Sequence, residues 1–300
     1  MLEGLHPRKP THIMRCETDE GSARTVTDLL GELFDPAETA IASFETVDNG
    51  PWLLEAYFSR QPDEQAIKEL IRPYVGKGID NVVFLQIDEK DWIKTSLEGL
   101  KPVRAGKILV HGSHDRPHVK ANDLSIEIEA ALAFGTGHHG TTLGCLLAFT
   151  DAVKTKKPLH ILDVGTGTGI LSFAAAKLLK THIIAGDIDP VAVAVAKENA
   201  YLNGIHSLIS LYAAPGIRHH LANRPKHFDI VMANILAKPL RLLARDLTSV
   251  IHPNGTLILS GLLIRDIPGV LSAYRIFGWH LRKRYELEGW AALVLKKSNR

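Results

Sequence analysis

Residues 159–169, Leu-His-Ile-Leu-Asp-Val-Gly-Thr-Gly-Thr-Gly, restrict the possible folds of this chain more than any other stretch. The apolar run Ile161 to Val164 reads as a strand, Gly165, Gly167 and Gly169 as a turn, and Ile170-Leu171-Ser172-Phe173-Ala174-Ala175-Ala176 as a helix. Glycines remove side chains where something must approach the backbone, here just where a helix N-terminus presents its free N–H groups. Strand, glycine turn and helix in that order make a nucleotide-type pocket at the carboxyl end of a parallel strand.

The spacing narrows the choice of nucleotide. A dinucleotide fingerprint needs its third glycine three residues after the second; counted from Gly165 that place is Ile170, and counted from Gly167 it is Ser172. The next strand, His182 to Gly186, ends in Asp187-Ile188-Asp189-Pro190. An ionised carboxylate at that tip offers only acceptors, which suits the two hydroxyls of a ribose. Together these features resemble the S-adenosylmethionine-dependent methyltransferases of the Rossmann-like class.

Three hundred residues suffice for one large or two ordinary domains. A formal charge of +2 implies no wholesale attraction to nucleic acid, and the clusters Lys154-Thr155-Lys156-Lys157, Arg282-Lys283-Arg284 and Lys296-Lys297 read as solvated surface and strand ends. Cys16 and Cys145 form neither a disulfide framework nor a clustered metal set, which fits a reducing cytosol. Met1 to Pro7 lacks an apolar signal core and no later run is long enough to span a bilayer, so a cytoplasmic protein away from membranes is expected.

From the amino terminus, Thr11 to Glu17 reads as a strand, Ser22 to Phe34 as a helix, Ala40 to Thr46 and Trp52 to Phe58 as strands joined by a turn at Asp48-Asn49-Gly50-Pro51. A helix from Asp63, as N-cap, to Pro73 and a strand at Val82 to Ile87 complete a βαββαβ order, which predicts a ferredoxin-like α+β domain over residues 1–88. It carries no cluster of reactive side chains and is read as a recognition module. Asp91 to Glu98 predicts a short amphipathic helix, followed by Gly99 and Pro102, so residues 89–105 are assigned as a linker whose ends can hinge.

Residues 106–300 then alternate strand and helix and close with two strands near His280 to Leu287 and Ala291 to Lys296, the pattern of a doubly wound α/β sheet. Strands are expected at Lys107 to His111 and Leu124 to Glu129, with His111, His114 and His118 around the loop between them; without a completing cysteine or acid beyond Asp115, no metal is assigned there. Phe134-Gly135-Thr136-Gly137-His138-His139-Gly140-Thr141-Thr142 reads as a polar loop walling the pocket, with Thr141 or Thr142 capping the helix that follows. One helix is expected over Leu240 to Val250. The strand Phe228 to Ala233 ends at Asn234-Ile235-Leu236, beside the switch point where ligands bind, so the Asn234 amide is placed next to the reacting groups.

The loop 134–142, the glycine strand with Asp187-Ile188-Asp189-Pro190, and Asn234-Ile235-Leu236 together resemble the ribosomal protein L-eleven methyltransferase family. The resemblance implies methyl transfer from S-adenosylmethionine to lysine side chains and the N-terminal amine of that large-subunit ribosomal protein. It also implies a small domain that docks the substrate; separately, a monomer is expected. By position, Thr142, Gly165, Gly167, Gly169 and Asp187 would contact the cofactor, and Asn234 would serve both cofactor and catalysis. Many members carry threonine and proline where this chain has His138 and Gly140, which implies a less stiff loop.

Glutamine- and adenine-directed relatives typically end the same strand in Asn-Pro-Pro-Tyr; Asn-Ile-Leu lacks the aromatic that would stack on a planar amide or flipped base. A nicotinamide-dependent oxidoreductase is opposed by the glycine spacing. A cofactor-binding RNA assembly protein would need a continuous basic and aromatic surface that this composition does not display.

Overall fold

The computed structural model of the protein describes residues 11–34, 39–45, 50–86, 102–128, 139–154, 157–224 and 226–297. The chain divides into two compact units, Met1–Ser96 and Leu97–Arg300. The turn at 48–51 is described only at its last two residues, and the predicted helix at Asp91 to Glu98 and the loop 134–138 lie outside the described residues.

The first unit contains β1 (His12–Thr18), α1 (Glu20–Leu33), β2 (Thr39–Glu45), β3 (Trp52–Phe58), α2 (Glu64–Val75) and β4 (Val83–Gln86). Its sheet runs β2-β3-β1-β4 with every neighbouring pair antiparallel, the order of a split βαβ repeat. Period-two alternation on β1 and β3 sends Met14, Cys16, Leu54 and Ala56 to the helix side, where they meet Leu30 and Ile71. Asp63 caps α2 as the sequence predicts, accepting the Ala66 N–H at 3.0 Å. Asp19 starts α1 earlier than predicted by accepting the Ser22 N–H.

In the second unit, β5 (Val103–Ala105), β6 (Ile108–His111) and β7 (Leu124–Glu127) form a small sheet. The sequence does not announce β5, because three residues are too few for a period to register. There follow α3 (His139–Ala152), β8 (Ile161–Val164), α4 (Ile170–Leu179), β9 (Ile183–Asp187), α5 (Pro190–Leu202), β10 (Ile209–Ala213) and β11 (Phe228–Asn234). The chain ends with α6 (Ala237–Leu242), α7 (Ala244–Val250), β12 (Ile251–Leu263), α8 (Ile267–Arg275), β13 (Trp279–Leu287) and β14 (Trp290–Lys297). The one helix expected over 240–250 is thus two, meeting at Leu243.

The large sheet is ordered β10-β9-β8-β11-β12-β14-β13. Strands β10 through β12 are mutually parallel, and β14 runs antiparallel between β12 and β13. Both faces are buried, so the central strands read as continuous apolar runs. Ile161, Ile230 and Met232 point into the layer holding Leu146, Phe149 and Phe173; Leu162, Val164 and Val231 point to the opposite layer with Leu240, Leu247 and Tyr274. Each large apolar side chain buried this way contributes about 1.5–3 kcal/mol. This is the doubly wound α/β arrangement expected, and the chain reverses its direction of sheet growth between β8 and β11, which opens a crevice at their carboxyl ends. No described helix is long and apolar enough to cross a membrane.

Candidate functional site

The carboxyl ends of β8, β9 and β11 gather most of the residues singled out in the sequence. Gly165, Gly167 and Gly169 have φ of +75°, +53° and +96°, in the left-handed region that L side chains enter only with strain. The turn is tied to β9 by the N–H groups of Gly165 and Thr166, which donate to Gly186 O at 2.8 and 3.0 Å. Gly167 N–H donates to Asp187 Oδ2 at 2.9 Å, and Asp189 N–H donates to Asp187 Oδ1 at 3.1 Å. Asp189 in turn caps α5 through Val191 N–H, with Pro190 in the first turn.

Two of the three glycines serve close approaches made inside the protein. A Cβ on Gly165 would lie 2.2 Å from Ile235 Cγ2, and one on Gly169 would lie 2.2 Å from the Phe173 ring. The first contact carries the β11 end against the glycine turn, and so seats Asn234, the last residue of β11, beside it. Among the described residues no hydrogen bond engages the half-buried Asn234 amide, so it does not tie off the turn. Asn234 faces Ser260 across the β11–β12 ladder, and the buried Ser260 hydroxyl donates to Thr141 O at 3.0 Å. That bond holds the first turn of α3, and therefore Thr142, at the same end of the sheet.

Helix α3 begins at His139, so Thr141 and Thr142 lie inside its first turn and neither is the N-cap expected from sequence. Gly140 is buried within the helix, where a Cβ would come 2.7 Å from Leu287 O. Its lack of a side chain lets α3 press on the β13–β14 hairpin, a packing role that sequence reading took for loop softness. Around the histidine loop, His111 bonds Gly112 O and Ser125 Oγ through its two ring nitrogens, while His114 and His118 flank Asp115. Among the described residues no three histidine, cysteine, aspartate or glutamate side chains are placed so that they could hold a metal ion.

Sequence reading passed over the groups that brace the turn from beneath. Asp163, counted as part of an apolar strand, is fully buried under it. Its Oδ2 accepts from Thr166 Oγ1 at 2.7 Å and from Ser172 N–H at 3.1 Å, while its Oδ1 is buried without a partner. Asn199, buried on α5, donates through Nδ2 to Thr168 O at 3.1 Å. A lone carboxylate in an otherwise apolar strand was the available signal for Asp163; Asn199 had none.

Burial, reinforced by the nearby Asp187 charge, pushes the Asp163 carboxyl up to about 7 from 3.8, against the lowering effect of the Thr166 and Ser172 hydrogen bonds. The folded state therefore holds this proton more tightly than the unfolded chain. The associated stability is present in full below the unfolded value and is lost as pH rises towards about 7. Urea midpoints measured across that window should fall with rising pH, and the Asp163→Asn variant should flatten the trend.

The chemistry of this crevice fits an adenosyl sulfonium ligand. The half-buried Asp187 carboxylate uses two acceptor positions on Gly167 and Asp189, which fix its plane, and a carboxylate has about four such positions. Asp187→Asn keeps the shape but puts an NH2 against a backbone N–H and removes the charge. Calorimetry should then show S-adenosylmethionine binding weakened about tenfold, since charge-assisted hydrogen bonds are roughly twice as strong as neutral ones.

Comparison with known proteins agrees with this geometry. The family described as "Ribosomal protein L11 methyltransferase (PrmA)" matches residues 26–298. The chain is 46% identical over 290 residues to the ribosomal protein L11 methyltransferase of Bradyrhizobium diazoefficiens, covering 96% of this chain and 98% of that one. It is 46% identical over 281 residues to that of Rhodopseudomonas palustris, covering 93% and 95%. The crystal structure of a ribosomal protein L11 methylase from Lactobacillus delbrueckii subsp. bulgaricus aligns with a TM-score of 0.60 and 30% identity, over 67% of this chain and all of that one. With a match running through both units and relatives alike almost end to end, the chain belongs to the ribosomal protein L11 methyltransferase family.

Proposed function

We propose that this chain methylates ribosomal protein L11 on lysine side chains and on its N-terminal amine, using S-adenosylmethionine. Membership of the family makes it a methyltransferase with that donor and that protein substrate; the choice of amines is the finer part of the reading. The observation that supports it best is the seating of Asp187 and Asn234 on either side of one glycine turn, the first fixed by Gly167 N–H and the second by the Gly165–Ile235 contact.

When bound, S-adenosylmethionine supplies a methyl group on a cationic sulfur that a neutral amine displaces in line. Asp187 holds the ribose hydroxyls, the backbone of Gly165, Gly167 and Gly169 shapes the floor, and Thr142 closes the side nearest α3. Asn234 Oδ1 accepts an N–H of the incoming amine and aligns its lone pair. A free lysine has a pKa of about 10.4, so a partly desolvated cleft, which disfavours the ammonium, enlarges the reactive fraction. Alignment is the larger part of the work. The small amino-terminal unit docks L11.

The aliphatic Ile235 also favours an amine on a flexible chain over a planar amide or base. It is wedged between Gly165 and Gly261, where a Cβ on Gly261 would lie 2.4 Å from Ile235 O, so no aromatic platform stands at that position.

Purified L11 incubated with the protein and isotopically labelled S-adenosylmethionine should gain methyl groups at lysine and N-terminal nitrogens, read by peptide mass spectrometry. Label on glutamine amides or RNA with L11 left unmodified would overturn the reading.

A further inference from the structure

The amino-terminal edge of the large sheet carries a second concave feature. A cavity of about 280 Å³ is lined by His160, His182, His227 and Arg224 over a floor that includes Ile161 and Ile184. Each histidine is the residue immediately before one of three adjacent strands, β8, β9 and β11. The glycine turn lies at the other end of β8, a separation of about 13 Å for four extended residues. The sequence hid this cluster because the three histidines are far apart in the chain; only the parallel pairing lines them up.

The groups facing one another here are mostly bases. The His160 and His227 rings have centroids 4.0 Å apart, tilted by 31°. His182 Nε2 lies 3.1 Å from Ser210 Oγ on β10. The charged and titratable groups acting on His227 are His160, Arg224 and Asp229, and one oxygen of Asp229 already accepts the N–H groups of Leu159 and His160 at 2.9 and 3.1 Å. Burial first, then His160 and Arg224, depress the proton affinity of His227, outweighing the pull of Asp229. Among the described residues no carboxylate pairs with Arg224.

A cluster of this composition suits an anion. Arginine offers only donors, and imidazoles become pure donors once protonated, so the complementary ligand carries several acceptors and negative charge. The guanidinium disfavours a cation among the same rings. A single carboxylate would use few of the donors arriving from three chain segments, whereas a phosphate presents oxygens in several directions. The cavity is larger than a bare phosphate needs, and its aliphatic floor leaves room for the body of an ester.

From these observations we infer that the cavity is a phosphate-binding site, separate from the glycine turn, which takes the phosphate of a small ester or of a single-stranded RNA backbone.

The test uses the full chain with S-adenosylhomocysteine added in excess to fill the cofactor crevice. Inorganic phosphate is titrated in while the histidine ring nitrogens are followed by NMR at about pH 6 and about pH 8. The expected result is a saturable shift of the His160, His182 and His227 resonances, tighter at the lower pH. Arg224→Ala, at an exposed position, and His182→Gln should each weaken binding about tenfold, as loss of a charge-assisted hydrogen bond does. A parallel titration with oligouridylate identifies the source. Tighter binding through the same three rings assigns the site to RNA, and binding of inorganic phosphate alone assigns it to a small phosphate compound. Shifts no larger than those produced by sodium chloride at equal ionic strength, or affinities unchanged in both variants, would overturn the inference.

Discussion

Asn234→Ala is expected to lower kcat by about a hundredfold to a thousandfold, the usual penalty when a positioned polar group that orients or stabilises the reacting atoms is removed. Binding of S-adenosylmethionine should change by much less. The expectation rests on where Asn234 sits and on what it does not do. It ends β11 next to the glycine turn, its backbone is fixed in the ladder with Ser260, and its amide is not spent on any hydrogen bond among the described residues. Truncation therefore leaves the fold intact and removes only the group proposed to align the amine. Single-turnover methylation of L11 beside calorimetric titration of the cofactor separates the two effects. Equal losses in both would make Asn234 a binding residue alone, and unchanged turnover would remove it from the mechanism. Asn234→Asp should also be poor at neutral pH, because a carboxylate would favour the ammonium form of the amine that has to be neutral.

The second large effect concerns stability. Gly169→Ala should destabilise the protein by about 2–5 kcal/mol, combining about 1–2 kcal/mol for a left-handed backbone with a Cβ and about 1–3 kcal/mol for overpacking. The added methyl would meet the Phe173 ring at 2.2 Å, and Phe173 is fully buried. The turn must then open, and it takes with it the Gly167–Asp187 hydrogen bond. Urea unfolding followed by circular dichroism gives the first quantity, and cofactor affinity in the variant reports the second. An alanine variant with wild-type stability would show that the turn can be repacked and that its shape is not set by Phe173. Gly204→Ala is a useful control: it also has positive φ, but nothing lies within 4 Å of the added methyl, so only the backbone cost of about 1–2 kcal/mol remains.

These two residues illustrate how differently parts of the chain can be read. Gly169 announces itself, because a glycine before a run of helix formers has few other uses. Its partner does not: the sequence suggests a ligand as the reason for the missing side chain, and the fold supplies Phe173. Asn234 is legible from its place at the end of an apolar strand. The bond from Ser260 to Thr141 O that brings α3 to the same spot spans 119 positions and carries no local trace.

What the sequence determined by itself was much of what short-range sterics and periodicity set. That covers the glycines of the turn, the capping of α2 by Asp63, and the alternation that makes one unit a four-stranded antiparallel layer and the other a doubly wound sheet. The tertiary structure alone decided which distant groups share a boundary. It buried Asp163 beneath the turn, put Asn199 under Thr168 O, pressed Gly140 onto the β13–β14 hairpin, and lined up His160, His182 and His227 at the far edge. The physical reason is that local conformational preferences act over a few residues, whereas burial, desolvation and side-chain contact depend on strand pairing between segments tens of positions apart.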